Sequence, residues 1–115
     1  MLSEKYITGN TFSNISAIYN GGALSLEGAR NIVIQSNTFE NIGYSPLSNQ
    51  EGGAIYISPT SNFIAIHNNS FLNCSAHIGG AIKWGDSQPS FQDNTFVNNS
   101  ASVYGDNEAS YATTL

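Results

Sequence analysis

Short stretches of alternating apolar and polar residues recur along the chain and predict β-strands. One type of strand is predicted at Ala23–Leu26, Ala54–Ser58 and Ala81–Trp84, and a second type at Asn31–Gln35 and Phe63–His67. Period-2 alternation bounded by Gly, Asn, Ser and Pro is typical of strands. A third, short strand is predicted to start at each motif phenylalanine. No window of ten residues has apolar positions at helical spacing, so we expect almost no helix.

The alternation also predicts which side chains face a common interior. In the first strand type they are Leu24, Leu26, Ile55, Ile57, Ile82 and Trp84. In the second type they are Ile32, Ile34, Ile64 and Ile66, with Ile7 and Phe91 in the equivalent places of the first and last repeats.

Two motifs, Gly-Gly-Ala and Asn-x-Phe-x-Asn, alternate along the chain. The first occurs three times, and its second glycines are Gly22, Gly53 and Gly80. Aligned copies of the other motif form three columns of identical residues: Asn10, Asn37, Asn69 and Asn94; Phe12, Phe39, Phe71 and Phe96; and Asn14, Asn41, Asn73 and Asn98. The phenylalanines are 27, 32 and 25 residues apart, which is the period of a solenoid. The extra residues 44–50 fall in one place, as a loop insertion would.

Identical residues at a fixed period predict like-on-like stacking of parallel strands. Residues 1–115 are therefore predicted to form one all-β segment, a right-handed parallel β-helix of about four turns with three short strands per turn. The phenylalanines are predicted to stack inside it. Asparagine suits the corners because it tolerates left-handed backbone, and stacked amides can bond one another. The paired glycines predict a bend with positive φ.

These motifs also carry a family resemblance. The run from Asn68 to Ile82, with Asn69-Ser70-Phe71-Leu72-Asn73 followed by Gly79-Gly80-Ala81-Ile82, resembles the repeat of polymorphic outer-membrane proteins. The chain is also similar to large β-helical surface proteins of protists, within the pectin-lyase-like superfamily. The Phe-x-Asn spacing is one residue shorter than the bacterial Phe-x-x-Asn. Val103-Tyr104-Gly105-Asp106 stands where Ile-Gly-Gly-Ala is expected, and we interpret this as a capping-like terminal repeat.

Composition excludes several classes of partner. Charged residues are 10% of the chain, with three basic and eight acidic side chains, so nucleic acid is not an expected partner. No transmembrane segment is visible within the chain, and no signal peptide. The chain starts inside a repeat, so we expect a fragment of a longer protein with further β-helix coils as partners. An isolated chain is expected to self-associate or to fray at residues 1–20.

The resemblance to the pectin-lyase-like superfamily, whose folds often host polysaccharide lyases and hydrolases, makes catalysis an open alternative. The acids are Glu4, Glu27, Glu40, Glu51, Asp86, Asp93, Asp106 and Glu108. Glu27 and Asp86 are predicted two turns, about 10 Å, apart, slightly beyond the carboxylate spacing of glycosidases. The Asp-Asp pair and Arg-x-Lys of the related hydrolases are absent, and Lys5, Arg30 and Lys83 fall in unrelated columns. We therefore predict no catalytic, cofactor-binding or metal-binding residues and no cofactor.

Weaker candidates have simpler interpretations. His67 and His77 lack metal-ligand spacing and are interpreted as surface histidines, and residues 106–108 as a solvated turn. Tyr56 is predicted to point outward on the face opposite to Trp84. We favour a plain exposed aromatic over the alternative, a sugar-stacking platform formed with Tyr19 or Tyr44.

Two further features concern single side chains. Cys74 is interpreted as a small apolar core residue. Sequons occur at Asn14, Asn68, Asn73 and Asn98, and for Asn14, Asn73 and Asn98 we favour chance matches over glycosylation.

Together these observations favour a non-enzymatic structural or adhesion segment of a secreted or surface-displayed protein, associated with an outer or plasma membrane. Its expected partners include cell-surface glycans or proteins. The alternative is a carbohydrate-binding or polysaccharide-degrading β-helix whose catalytic coils lie outside this segment.

Overall fold

The chain winds into a solenoid of parallel strands. The structure, a computed structural model, describes residues 3–44 and 49–110. The strands within these residues are β1 (Lys5–Thr8), β2 (Thr11–Ala17), β3 (Leu24–Leu26), β4 (Arg30–Gln35), β5 (Thr38–Tyr44), β6 (Ile55–Ile57), β7 (Asn62–His67), β8 (Ser70–Leu72), β9 (Ser75–Ile78), β10 (Ile82–Trp84), β11 (Ser90–Gln92), β12 (Thr95–Val97), β13 (Ser100–Tyr104) and β14 (Glu108–Ser110).

Each strand pairs with its equivalent one turn away, and every pairing is parallel. The Ile sheet has the order β1-β4-β7-β11, the Phe sheet β2-β5-β8-β12 and the Gly-Gly-Ala sheet β3-β6-β10-β14. No helix is present in residues 3–44 and 49–110. The predicted all-β parallel β-helix of about four turns is therefore confirmed.

A fourth, two-stranded sheet (β9 and β13) adds to the predicted three strands per turn. In the first two turns, β2 and β5 run on for seven residues through the same region. In the later turns this region is divided into two strands at Asn73 and Asn98, although Asn14 and Asn41 have the same positive φ within β2 and β5. The insertion predicted at residues 44–50 includes residues 45–48, which lie outside the described part of the chain.

Apolar side chains fill the interior of the coil in stacked columns. Ile7, Ile34, Ile66 and Phe91 are in register across the Ile sheet. The Phe column continues through all four turns, with ring centroids 4.9, 4.9 and 5.1 Å apart and interplanar angles of 10° or less. Phe39 and Phe71 are fully buried, whereas the terminal rings of Phe12 and Phe96 are only partly buried. Offset stacking of this kind adds to the gain from burial.

One asparagine column forms a buried hydrogen-bonded ladder. The backbone N–H and the side-chain amide of Asn37 both donate to Oδ1 of Asn69, at 2.9 and 3.1 Å. Asn10 donates to Asn37, and Asn69 to Asn94, in the same way. The amides of Asn37, Asn69 and Asn94 also donate back to a carbonyl of the preceding turn, as Asn69 does to Ile34. The Asn10 amide donates to the Thr8 carbonyl of its own turn. The ladder satisfies polar groups that the corner would otherwise bury unpaired.

The other asparagine column is exposed and supplies left-handed backbone. Asn14, Asn41, Asn73 and Asn98 have φ between 54° and 56°. The amides of Asn41 and Asn73 donate along the column to Oδ1 of Asn14 and Asn41. In the buried column the left-handed residue is the one before the asparagine, at Gly9, Ser36, Asn68 and Asp93. The two columns thus use asparagine for different reasons, amide bonding in one and positive φ in the other.

The two glycines of each Gly-Gly pair have different roles. Gly21, Gly52 and Gly79 have φ near 70°, the bend that the motif predicts. Gly22, Gly53 and Gly80 are not left-handed, but a Cβ on them would meet the carbonyl oxygen of the next turn at 1.9 to 2.5 Å. The second glycine is therefore needed for close approach of backbones.

The last repeat aligns one residue later than the sequence predicts. Ile82 pairs with Glu108 and Ile78 with Tyr104, so residues 104–107 stand where residues 78–81 stand one turn earlier. Gly105 keeps the positive φ of 74°, while Asp106 replaces the second glycine. No turn lies beyond Asp106 among the described residues, so its side chain meets no facing carbonyl there.

Candidate functional site

A buried ion pair lies on the outer face of the Gly-Gly-Ala sheet. Ser25, Tyr56, Lys83 and Ala109 are in register there, alternating with core residues. Lys83 is nevertheless 0% exposed, and its Nζ lies 2.8 Å from Oε1 of Glu51, which is 23% exposed. Asn20 positions the acid, because its Oδ1 accepts the backbone N–H of Glu51 at 2.8 Å.

The sequence pattern did not predict this pair. Lys83 and Glu51 are 32 residues apart, and Glu51 stands in register with Ile78, a position that carries no acid in the other turns. The available signal is a lysine between Ile82 and Trp84 in an otherwise apolar strand. Burial of an ammonium group is costly unless a carboxylate compensates it, so the pair clamps the turn that contains Glu51 to the next turn.

Replacing Glu51 with glutamine is expected to lower the free energy of unfolding by about 1.5–3 kcal/mol, because the buried ammonium loses a charged acceptor. Urea denaturation of the variant measures this loss. Glu27→Gln, which neutralises an exposed carboxylate beside the same sheet, is the matched control and should stay within about 0.5 kcal/mol of the parent. Equal effects of the two substitutions would contradict the clamp.

Tyr56 is not the exposed aromatic that alternation predicts. Its side chain points away from the core but is only 6% exposed, because it packs against Gly21 and beside Lys83. The prediction that Tyr56 is an exposed aromatic is therefore wrong, and the ring is too buried for the alternative, a sugar-stacking platform. Tyr19 is 79% exposed and remains available. The side chain of Tyr44 lies outside what the structure describes.

An open cleft of about 370 Å³ adjoins the buried pair. Its lining combines an aromatic ring, one carboxylate, a hydroxyl and several amides: Ile18, Tyr19, Asn20, Ser25, Glu27, Asn49 and Gln50. Hydroxyls, amides and an exposed ring are groups that bind sugars, and Glu27 is the one acid among the described residues that line the cleft.

The acidic and basic candidates do not converge. Leu26, Ile57 and Trp84 are in register, so Gly85 rather than Asp86 occupies the place two turns beyond Glu27. Lys5 pairs with Ile32 and Arg30 with Asn62, and Lys83 lies in the Gly-Gly-Ala sheet, so the three bases do lie in unrelated columns. Among the described residues, a carboxylate pair that flanks a glycosidic bond is not assembled in this cleft.

The metal-ligand candidates lie apart and are engaged by protein groups. In the described chain, no three His, Cys, Asp or Glu side chains cluster as a metal site would require. His67 contacts the Ser90 hydroxyl at 3.1 Å, and His77 contacts Ser102 at 3.2 Å. Asp106 accepts the backbone N–H of Ala101, and Asn107 accepts the Asn99 amide.

Glu108 occupies a core column rather than a turn. It continues the column of Leu24, Ile55 and Ile82 at the last turn. Burial raises the pKa of its carboxyl, since the charged form loses hydration.

Cys74 is fully buried in the core cluster, as the sequence predicts. Burial raises the pKa of its thiol to about 11. The thiol donates to the carbonyl of Phe39 at 3.6 Å, which holds it in place. The reactive thiolate is therefore scarce at neutral pH.

The thiol of Cys74 is expected to resist Ellman's reagent in the folded protein at pH 8 and to react promptly in denaturant. The reason is the combination of burial with a high pKa. Absorbance at fixed reagent concentration measures both rates, and free glutathione is the control for reagent quality. Prompt reaction of the native protein would show that the core opens readily.

The sequon asparagines occupy two kinds of position in the coil. Asn14, Asn73 and Asn98 belong to the exposed left-handed column, and the Asn73 amide donates to Asn41. Asn68 is exposed and left-handed immediately before the buried ladder. Buried Asn99 has a structural role that the repeat did not predict: it accepts the Cys74 N–H and donates to the Phe71 carbonyl.

Comparison with known proteins agrees with this architecture. The family model described as "Right handed beta helix region" matches residues 2–114. A transmembrane domain-containing protein of Dictyostelium discoideum is 34% identical over 92 residues, which cover 76% of this chain and 5% of that protein. The chain thus spans a small part of that relative. No solved structure matches the chain significantly. Among the described residues, no helix has the length and apolar character needed to cross a bilayer.

Proposed function

Because the chain belongs to the family of right-handed β-helix regions, we propose that it is a structural segment of a surface-displayed or secreted β-helix protein, with a role in adhesion. The observation that carries the proposal is the use of its polar side chains. The buried Asn ladder, the exposed Asn column and the Lys83–Glu51 pair all bond within the coil. Groups committed to internal bonding stabilise a rod and are poorly placed for turnover.

The relative supports a segment within a larger protein. This chain matches 5% of the length of a protein that is named as containing a transmembrane domain. We therefore place the segment in a protein held at a membrane surface, where further coils extend the rod and cell-surface glycans or proteins are its partners. Repeat proteins of this kind tolerate such extension because each turn contacts only its neighbours.

A polysaccharide assay tests the non-enzymatic role. The purified chain is incubated with polygalacturonate and with a neutral β-glucan, and new reducing ends and unsaturated products are measured. We expect neither above a heat-denatured control. Turnover that is lost in Glu27→Gln would overturn the proposal and identify the cleft as a catalytic site.

Carbohydrate binding without cleavage is a second candidate, supported by the cleft around Tyr19. The exposed ring lies beside the amides and hydroxyl of that cleft, an arrangement that suits sugar stacking. Calorimetric titration with soluble oligosaccharides tests it. Binding should weaken at least tenfold in Tyr19→Ala and persist in Tyr6→Ala, which removes an exposed tyrosine elsewhere. Equal affinities of both variants would exclude this cleft as the carbohydrate-binding site.

A further inference from the structure

One of the four sequons, Asn68-Asn69-Ser70, differs from the other three in its surroundings. It lies at the corner between β7 and β8, and Asn68 is exposed there. The backbone N–H of Asn68 donates to the carbonyl of Gln92 at 2.9 Å, so the main chain is held by the next turn. The side-chain amide, in contrast, makes no hydrogen bond within the described residues. Its Nδ2 is therefore accessible and carries no structural bond.

The backbone at this corner directs Asn68 out of the coil. Asn68 has φ of 56°, a left-handed conformation that asparagine adopts more readily than most residues. The next residue, Asn69, is 1% exposed and belongs to the buried ladder. The two neighbouring side chains thus lie on opposite sides of the coil wall. A bulky group on Asn68 would leave the buried ladder undisturbed.

The equivalent positions in the neighbouring turns leave room beside Asn68. They are Gly9 and Ser36 in the earlier turns and Asp93 in the next, and all three are exposed. The side chains of Ser36 and Asp93 make no hydrogen bond within the described residues. An oligosaccharide can therefore leave the coil at this corner without displacing a polar contact.

The hydroxyl that completes the sequon is also available. Ser70 is partly exposed, because the strand turns the next residue, Phe71, into the core. Its hydroxyl makes no hydrogen bond within the described chain. The positions in register with Ser70 are Thr38 and Thr95. The fold therefore does not need this hydroxyl for bonding, and it also accepts threonine there.

The other three sequons belong to the exposed asparagine column. In this column Asn41 donates to Oδ1 of Asn14, and Asn73 donates to Oδ1 of Asn41. A sugar on Asn73 would crowd this amide ladder. Asn98 makes no such bond in the described residues, but it stands one turn from Asn73 in the same column, so a sugar there would crowd the same amides. We therefore keep the interpretation of these three sequons as chance matches.

We propose that Asn68 carries an N-linked oligosaccharide. The proposal rests on the proposed secreted or surface-displayed role, because sequons are modified in secreted proteins. The donor is an oligosaccharide attached to a polyprenyl diphosphate. Nδ2 forms a bond to C1 of the first sugar, the bond between C1 and the diphosphate oxygen breaks, polyprenyl diphosphate leaves, and the amide releases one proton. The product adds a hydrophilic group to a chain with only 10% charged residues.

Site mapping on secreted protein tests the proposal. The full chain is secreted from a eukaryotic cell line behind an added leader and treated with peptide N-glycosidase in heavy-oxygen water, which converts glycosylated asparagine into labelled aspartate. Chymotrypsin cleaves after Phe71 and so separates Asn68 from Asn73 for mass spectrometry. We expect label at Asn68 in most molecules and little at Asn14, Asn73 and Asn98. Unlabelled Asn68, or label mainly at Asn73, would overturn the proposal.

Variants drawn from the neighbouring turns provide the controls. Asn68→Asp introduces the residue that Asp93 supplies at the same φ, and it should abolish the glycosidase-sensitive mobility shift. Ser70→Ala should abolish the shift as well, whereas Ser70→Thr should keep it. Asn73→Asp is the matched control and should also keep it. Circular dichroism with urea midpoints checks that each variant folds, and a shift that survives both Asn68→Asp and Ser70→Ala would contradict the assignment.

This design separates the site from the proposed location. The leader brings the chain into the secretory pathway wherever the intact protein resides, so a bare Asn68 counts against the glycosylation site alone. The location is tested by labelling intact cells that carry the whole protein with an impermeant reagent. Absence of surface label would contradict the proposed function and leave the mapped site standing.

Discussion

Replacing Phe71 with alanine is expected to lower the free energy of unfolding by about 3–5 kcal/mol, the typical cost of removing a buried aromatic ring. Phe71 is fully buried, and its ring stacks on Phe39 at 4.9 Å and on Phe96 at 5.1 Å. The neighbouring turns are held at the strand spacing by backbone hydrogen bonds, so they cannot collapse into the cavity. A small domain has little more stability than this, and we expect the variant to be largely unfolded.

Chemical denaturation followed by circular dichroism measures the loss. Phe63→Ala is the matched control, because it removes the same ring from a residue that is 69% exposed, and it should cost less than about 1 kcal/mol. Phe63 also has φ of 58°, a conformation that alanine adopts no less easily than phenylalanine. If Phe71→Ala lowers the free energy of unfolding by less than about 1 kcal/mol, the Phe stack does not stabilise the core as described.

Gly53→Ala, which adds a single methyl group, is expected to lower the free energy of unfolding by about 4 kcal/mol or more. An added Cβ would lie 1.9 Å from the carbonyl oxygen of Gly80 and 2.7 Å from that of Ser75. Both are backbone atoms of the adjacent turn, so relief requires two turns to separate. The Gly53 N–H donates to Gly79 at 3.0 Å, and that bond would lengthen with them.

Thermal unfolding and the urea midpoint test this expectation. Gly43→Ala is the control, since its added Cβ would meet only the Ser75 hydroxyl, at 3.0 Å, and a side chain can turn away. We expect Gly43→Ala to fold with nearly the parent midpoint. A Gly53→Ala protein as stable as Gly43→Ala would show that the turns approach less closely than the structure describes.

Much of the fold could be predicted because the coil repeats. Each turn stacks on a near copy of itself, so residues such as Phe39 and Phe71 that share a column in the alignment also share a column in space. Because the strands stack parallel and in register, residues one sequence period apart contact each other. The close approach at Gly53 was harder to predict, because the motif indicates a bend and only the next turn reveals the facing carbonyl.

The sequence by itself determined the strands, the parallel stacking and the inward side chains, because these follow from alternation and period. Only the tertiary structure decided what covers the outer face. Alternation places Tyr56 and Lys83 outside the coil, yet both are buried, and Lys83 pairs with Glu51 of the preceding turn. Period-2 alternation reports which side of a strand a residue occupies. It carries no information about which side chains of the neighbouring turns cover that side, so burial there depends on contacts that no local pattern encodes.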